Sequence, residues 1–360
     1  MVNVKDFGAV GDGVTYDDAA FAAAVSAIIA SGGGALYVPA GEYRLADRVD
    51  IVVPGREHIA VRGDGKYTTQ LQFEGATAKG GIRFESTTTA LFDRPTFEIE
   101  NIGLIPMADD CGTALFASWA DDQNVEAALT VKGLLANRRS VANGVGSWTR
   151  GIDGNHARNS TIADFYFIGK QGVTKEAVRL DGQSTAVDIY DCHILEAETG
   201  IIAQGICEGL NVNQCNIVAV RYGVRHDIAT GAEPQLSVAN SHINATDVCV
   251  WSNNVQQGGI VNNLFYAFSG LGVVNPWWGV IVSGDLSRSM KVIGNSFEKD
   301  GGHNGPTTHG IHITGGHSYV ITGNQFQGRP GSPMTYGVVG TPANTAKGLN
   351  TAQHVVNPNI

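Results

Sequence analysis

A six-position pattern recurs along this chain and restricts its fold more than any other feature. An apolar residue is followed by two variable positions, a small or polar residue, one variable position and a large apolar residue. It reads IENIGL (99–104), IADFYF (162–167), IYDCHI (189–194), VNQCNI (212–217), VANSHI (238–243), IVNNLF (260–265), VIGNSF (292–297) and ITGNQF (321–326), with a weaker copy near Val131 to Ala136. A second strand, often opened by Gly, follows most copies: AVRL from 177, GIIA from 200, GVRH from 223, DVCV from 247, GVIV from 279 and GIHI from 310. A unit this short cannot bury its apolar face alone, so the copies must stack. The expected fold is all-β, a right-handed single-stranded parallel β-helix, or solenoid.

The third position from the end of the pattern reads Cys192, Cys215, Ser241, Asn263, Asn295 and Asn324. Coils stacked about 4.8 Å apart would set these residues in one inward column, where amide side chains can bond up and down the stack. One helix is signalled, AAFAAAVSAIIAS, with Asp17 or Asp18 as its cap and Gly32, Gly33 and Gly34 as its stop. Such a helix covers the open first coil, which would otherwise expose apolar interior and unpaired strand edges. The organisation expected is a cap and first coil over 1–50, a β-helix over 51–342 and a tail over 343–360. A two-domain α/β arrangement fails for want of helices.

Composition agrees with this reading. Forty-seven glycines, 16% charged and 43% apolar residues describe a chain that turns often and buries much. Its formal charge of 24 − 34 = −10 argues against nucleic acid or an anionic membrane as partner, because both call for clustered Lys and Arg. No apolar run reaches the length of a membrane span, and MVNVKDFGAV carries no basic-then-apolar signal segment. Five cysteines, an odd number with no C-x-x-C, are expected as reduced core thiols. No metal site or cofactor is signalled.

The stretch VKDFGAVGDGVTYDDAAFAAAV followed by GGGALYVPAGEYRL resembles the N-terminal signature of the pectate-lyase-like superfamily, which includes phage tailspike depolymerases, polygalacturonase-type hydrolases and mannuronan epimerases. The likeness covers residues 2–45, and the coil repeat carries it to about residue 342. It implies a capping helix and first coil, so Asp12, Asp17 and Asp18 are expected in turns and caps. GAVGDG lacks the Lys-Ser/Thr ending of a phosphate loop. The epimerases' Tyr-Gly-Phe-Asp-Pro-His motif is represented only by Arg150-Gly151-Ile152-Asp153-Gly154-Asn155-His156. Tyr and Pro are missing and the His is displaced, which argues against epimerisation.

Alternation along the second strands selects the side chains that leave the core. With Val178, Leu180, Val224 and His226 inward, Arg179, Asp181, Arg225 and Asp227 point out, as do Arg83 and Glu85 in GIRFES. The outward columns are expected to continue through Asp153, Ile202, Cys249, Ile281 and His312, and through Gln204, Trp251, Ser283 and Thr314. Glycan hydrolysis needs two carboxyl groups, and Asp181 and Asp227, two coils apart, would stand roughly 9.5 Å from each other, near the upper end of the inverting range. Arg179 and Arg225 would bind the sugar or hold the aspartates ionised; the plainer alternative is a set of surface ion pairs. The long connections at 266–279, 298–310 and 327–336 are expected to wall the site. There Trp277 and Trp278 would stack on sugar rings or pack over the last coils. Glu298, Asp300, His303 and His309 form a second acid/base candidate. His193 and His242 face outward on the neighbouring sheet.

The leading functional expectation is a tailspike-type depolymerase that hydrolyses a polysaccharide. A lyase or C5-epimerase acting on uronates, with Arg neutralising the carboxylate, is the alternative. A glycan-binding adhesin without catalysis is the third. By resemblance the protein is expected to be a homotrimer, extracellular or virion-associated, with outward Ile202, Ile281, Ile293 and Val320 leaving surface to cover.

Overall fold

The structure, a computed structural model, describes residues 1–75, 80–90, 93, 95–120, 128–137, 146–228, 234–269, 275–299, 303, 305–340, 346–353 and 355–357. Two compact units divide it: Met1–Asp188 with Cys192–Ala197, and Ile189–Asp191 with Glu198–Ile360. Each is a parallel β-helix whose coil contributes one strand to each of three sheets.

In the first unit, the first sheet stacks Val49–Val53, Ile82–Ser86, Thr113–Trp119, Arg150–Asn155 and Glu176–Asp181. The second sheet runs through Gly34–Val38 and His58–Gly63, and the third through Gly41–Leu45 and Thr69–Phe73. The long strands Thr96–Pro106, Ala128–Asn137 and Ser160–Ile168 serve both. Val131 pairs with Ile99 on one side and Ile162 on the other, so the weak sequence copy is a full coil. Coils also precede residue 96, where the pattern is not visible: Val2–Asn3 already pairs with Leu36 and Tyr37.

The helix α1 (Asp18–Ala30) buries Ala20, Phe21, Ala24, Val25 and Ile28. Asp17 occupies the N-cap position without making a cap bond. Its carboxylate instead accepts from Val10 N at 2.7 Å and Gly11 N at 3.2 Å, while Asp18 takes the amides of Ala46 and Asp47 at 3.0 and 3.1 Å. These aspartates hold the flanking loops against the helix, which is a different task from the capping expected of them.

In the second unit, the first sheet stacks Thr199–Gly205, the later parts of Asn216–Ile228 and His242–Asn253, then Trp277–Ser283, Thr308–Ile313 and Met334–Val339. The second sheet holds Glu208–Asn213, Gln235–Ala239, Gln257–Val261, Met290–Ile293 and Val320–Thr322. The third includes Leu264–Ala267, Ser296–Lys299 and Gln325–Gln327. Strands Ala346–Lys347, Thr351–Gln353 and Val355–Asn357 continue these sheets past residue 342.

Within the second unit the expected inward column runs from Cys215 through Ser241, Asn263 and Asn295 to Asn324. Asn263 N and Nδ2 both donate to Asn295 Oδ1 at 3.0 Å, Asn295 does the same to Asn324, and Asn324 to Asn350, a rung the pattern did not reveal. Ser241 fills one rung, its Oγ accepting from Cys215 N at 3.1 Å. Just before each rung the chain turns from the second sheet to the third through one left-handed residue. Asp191, Gln214, Asn240, Asn262, Gly294 and Gly323 all show φ of 53° to 69°. Asn, Asp and Gly tolerate that conformation best, which accounts for their recurrence here.

The glycine that opens most second strands has a packing cause. A Cβ at Gly279 would sit 2.3 Å from the Phe297 ring, and one at Gly310 equally close to Phe326. Cys249 falls in this inner row, where its neighbour is Gly223. It is fully buried, so its expected place in the outward column is corrected: Trp251 pairs with Arg225 and Ile281 there, and Asn253 with Asp227 and Ser283. All five cysteines are buried thiols and no disulfide joins them. Among the described residues no helix is long and apolar enough to cross a membrane.

Candidate active site

In the first unit, parallel register lines up Asp50, Arg83, Phe116, Asp153 and Arg179 as one outward row of the first sheet. Glu85, Ser118, Asn155 and Asp181 form the row beside it. Arg83 and Arg179 of the first row each pair with a carboxylate of the second, Glu85 and Asp181. Arg150 Nε meets Glu176 at 2.7 Å and Arg150 Nη1 meets Asp153 at 3.6 Å. Arg179 Nη1 donates to both oxygens of Asp153 at 3.1 and 3.2 Å, and its other nitrogen bonds Asp181. Asp153 is only 3% exposed. Burial raises its pKa above the usual carboxylate value, against the opposing pull of Arg179 and Arg150.

A pocket of about 300 Å³ opens on this face, lined by Arg48, Arg83, Arg150, Phe116, Thr113, Thr149, Asp110 and the backbone of Gly80 and Gly112. Three arginines and one phenylalanine thus line one pocket, and Phe116 lies one coil from Asp153. Each arginine is braced by carboxylates: Arg48 Nε on Asp50 at 2.8 Å, Arg83 on Asp50 and Glu85, and Arg150 on Glu176. Both Nη groups of Arg48 remain without a partner among the described residues. The sequence had pointed to Arg83 and the Arg150–Asp153 segment separately. Nothing in the repeat could bring in Arg48, because its strand precedes the visible pattern.

In the second unit, the expected Arg225 and Asp227 do face outward, in a closed circuit with Trp251. The Arg225 guanidinium lies 5.0 Å from the Tyr222 ring centre and 4.9 Å from that of Trp251. Trp251 Nε1 donates to Ser283 at 3.0 Å, Ser283 to Asn253 at 3.0 Å, Asn253 to Asp227 at 3.1 Å, and Arg225 reaches Asp227 at 3.5 Å. Trp278 pairs in register with Val248 on one side and His309 on the other, and its ring stacks on His309, which stacks in turn on Tyr336 and His312. His309 is therefore engaged by rings within the column, and Trp278 lays its ring against it. Burial lowers the pKa of His309 to about 4 and also lowers that of His312.

Several expected site residues lie elsewhere. Trp277 is fully buried, because it opens a first-sheet strand rather than a loop, and it cannot stack on a ligand. His303 is 3% exposed; its Nδ1 accepts from Gly305 N at 3.3 Å, so it packs inside the wall it was expected to line. Glu298 stands in the third sheet between Tyr266 and Gln327, off the sheet that carries Asp227. Asp300 lies outside the described residues. Asp181 belongs to the first unit and Asp227 to the second, and each is held by its own arginine. Of the apolar residues expected to drive trimerisation, Ile202 is 6% exposed, and Ile281, Ile293 and Val320 are half-buried.

Residues 1–225 match the family described as rhamnogalacturonase A/epimerase, pectate lyase-like. The chain belongs to this family. Local stretches also match curated proteins of Azotobacter vinelandii. Mannuronan C5-epimerase AlgE2 is 45% identical over 74 residues, 19% of this chain and 7% of that protein. Alginate lyase 7 is 57% identical over 44 residues, 12% of this chain and 5% of that protein. The matched stretch is thus less than a tenth of either relative's length. Among solved structures, the A-module of A. vinelandii epimerase AlgE6 aligns over 99% of both chains with a TM-score of 0.53 and 16% identity. A DFA-IIIase from Arthrobacter chlorophenolicus A6 aligns over 91% of this chain and 83% of its own, with a TM-score of 0.67 and 15% identity. At such identities these likenesses establish the pectate-lyase-like β-helix fold.

Proposed function

We propose that this family member acts on a uronate-bearing polysaccharide by withdrawing the proton beside the uronate carboxylate, the step common to lyases and C5-epimerases. The observation that carries the reading is the pocket lined by Arg48, Arg83, Arg150 and Phe116. Removing that proton drives negative charge onto the carboxylate oxygens, and fixed guanidinium groups stabilise it more as the charge grows. A guanidinium fork matches a carboxylate in two parallel bonds, and carboxylates already brace all three arginines, so little order is lost on binding. Phe116 offers a ring to the sugar. Asp153 lies beneath this pocket, one coil from Phe116, and burial raises its pKa above that of an exposed aspartate; in this reading its carboxylate is the base. In elimination the Asp153 carboxylate takes the C5 proton, the C5–H electron pair forms the C4–C5 double bond as the C4–O bond breaks, and the departing oxygen takes a proton from water. The absent Tyr and Pro of the epimerase motif favour elimination over epimerisation. The mannuronan- and alginate-acting relatives support the substrate class. Such polymers are met outside the cell or on a host surface, and that is where we propose the protein works.

Hydrolysis remains as a second reading on one observation: the Arg179 fork joins Asp153 to Asp181, two carboxyl groups in different surroundings. One assay separates the two. Pectate, alginate and neutral glycans are incubated with the protein, following both the ultraviolet absorbance of unsaturated uronate and new reducing ends. Unsaturated product from acidic polymers, lost in Arg83→Ala, is expected. Reducing ends without unsaturation would sink elimination in favour of hydrolysis.

A further inference from the structure

We infer that the second sheet of the second unit carries a binding groove for an acidic oligosaccharide, built from residues that take no part in the arginine pocket. The groove measures about 510 Å³. Its floor is one outward row in parallel register, Asn211, Ser237, Gly259 and Lys291. The two middle rungs are small and the end rungs long, so the row is hollow at its centre. Stacking spaces the ends about 14 Å apart, the length of a short oligosaccharide. Gln235 and Gln257 flank the row and bond each other at 3.4 Å.

Two adjacent glycines differ in a telling way. A Cβ at Gly258 would fall 1.9 Å from the Leu236 carbonyl oxygen, so packing alone demands glycine there. A Cβ at Gly259 would meet nothing nearer than the Val261 methyl at 3.3 Å and the Lys291 carbonyl at 3.9 Å. Only a side-chain methyl would have to shift by a few tenths of an ångström, so packing demands the second glycine far less than the first. What its missing side chain does is keep the groove open.

The lining selects the ligand. Amides and hydroxyls offer both donors and acceptors, as sugar hydroxyls require. Lys291 is exposed and pairs with no carboxylate among the described residues, so it presents one point charge to one carboxylate. A nucleic-acid strand would call for several cations and stacking aromatics, and the groove has one and none. A peptide would add to a sheet edge, whereas Gln235–Ala239 and Gln257–Val261 are paired on both sides. The choice of an acidic glycan rests on the proposed uronate substrate.

Titration calorimetry of the full chain with hexameric oligogalacturonate and oligomannuronate tests the inference, using wild type, Gly259→Leu, Lys291→Gln and Arg83→Ala. Arg83→Ala should retain a binding event that Gly259→Leu abolishes and Lys291→Gln weakens about tenfold. Lys291 is a surface residue, so its variant reports even if Gly259→Leu folds poorly. Binding unaltered in folded Gly259→Leu and in Lys291→Gln overturns the groove, as does the absence of any event in Arg83→Ala. Turnover of the same hexamers is read separately. Turnover without the groove event sinks the groove alone, and the groove event without turnover sinks the proposed activity alone.

Discussion

Replacing Asn295 with alanine tests whether the amide column holds the coils together. The side chain is 1% exposed and makes four bonds: its oxygen accepts from Asn263 N and Nδ2, and its amide donates to Ile260 O at 2.8 Å and to Asn324 Oδ1 at 3.0 Å. In Asn295→Ala, Asn263 Nδ2 keeps the Val238 carbonyl and Asn324 Oδ1 keeps the Asn295 amide. The Asn263 backbone N–H is left without a partner where water cannot reach, at about 1–3 kcal/mol, and the lost Ile260 bond adds about 1 kcal/mol. A loss of about 2–4 kcal/mol follows. With a urea m-value of about 3 kcal/mol per molar, the midpoint should fall by about 1 M. Asn295→Ser is the informative control, because Ser241 already fills a rung and its Oγ accepts the preceding rung's amide. It should restore the larger part of the loss. Circular dichroism and tryptophan fluorescence followed in urea would measure both. A midpoint shift below about 0.3 M for the alanine variant, or a serine variant as damaged as alanine, would refute the reasoning.

Arg83→Ala should lower kcat/KM on an acidic polymer by about 100-fold, with little change in melting temperature because the side chain lies on the surface; steady-state kinetics beside a thermal melt checks this. Trp277→Ala should cost about 3–5 kcal/mol by emptying a core site, whereas Trp278→Ala, half-buried, should cost clearly less; equal losses in parallel urea melts would contradict the burial difference. Burial lowers the pKa of His226 from 6.5 to about 4. As pH falls from 6.5 toward 4 the unfolded chain binds a proton that the folded chain refuses, so the stability present above 6.5 declines across that window. His226→Leu should flatten that part of the curve, and an unchanged slope of urea midpoint against pH would disprove the assignment.

The repeat made the coil, the inward column and the second-strand alternation legible, because stacking obliges equivalent positions to share an environment. Asn263, Asn295 and Asn324 could be aligned by eye, and the outward set of Arg179, Asp181, Arg225 and Asp227 followed from the period of two. Trp251 stands beside Arg225, where alternation places Cys249, and Asn253 stands beside Asp227, because only pairing along the strand fixes which residue meets Arg225; Trp277 opens a strand rather than lying in a loop, because a strand's start depends on its neighbour coil. Asp17 resembled a helix cap by position, yet the amides that occupy it come from a loop that folds back. The arginine pocket was the least legible feature. Arg48, Arg83, Phe116 and Arg150 are separated by long stretches of chain and share no motif. Only the lateral stacking of strands, which converts distance in sequence into steps of about 4.8 Å, brings them together.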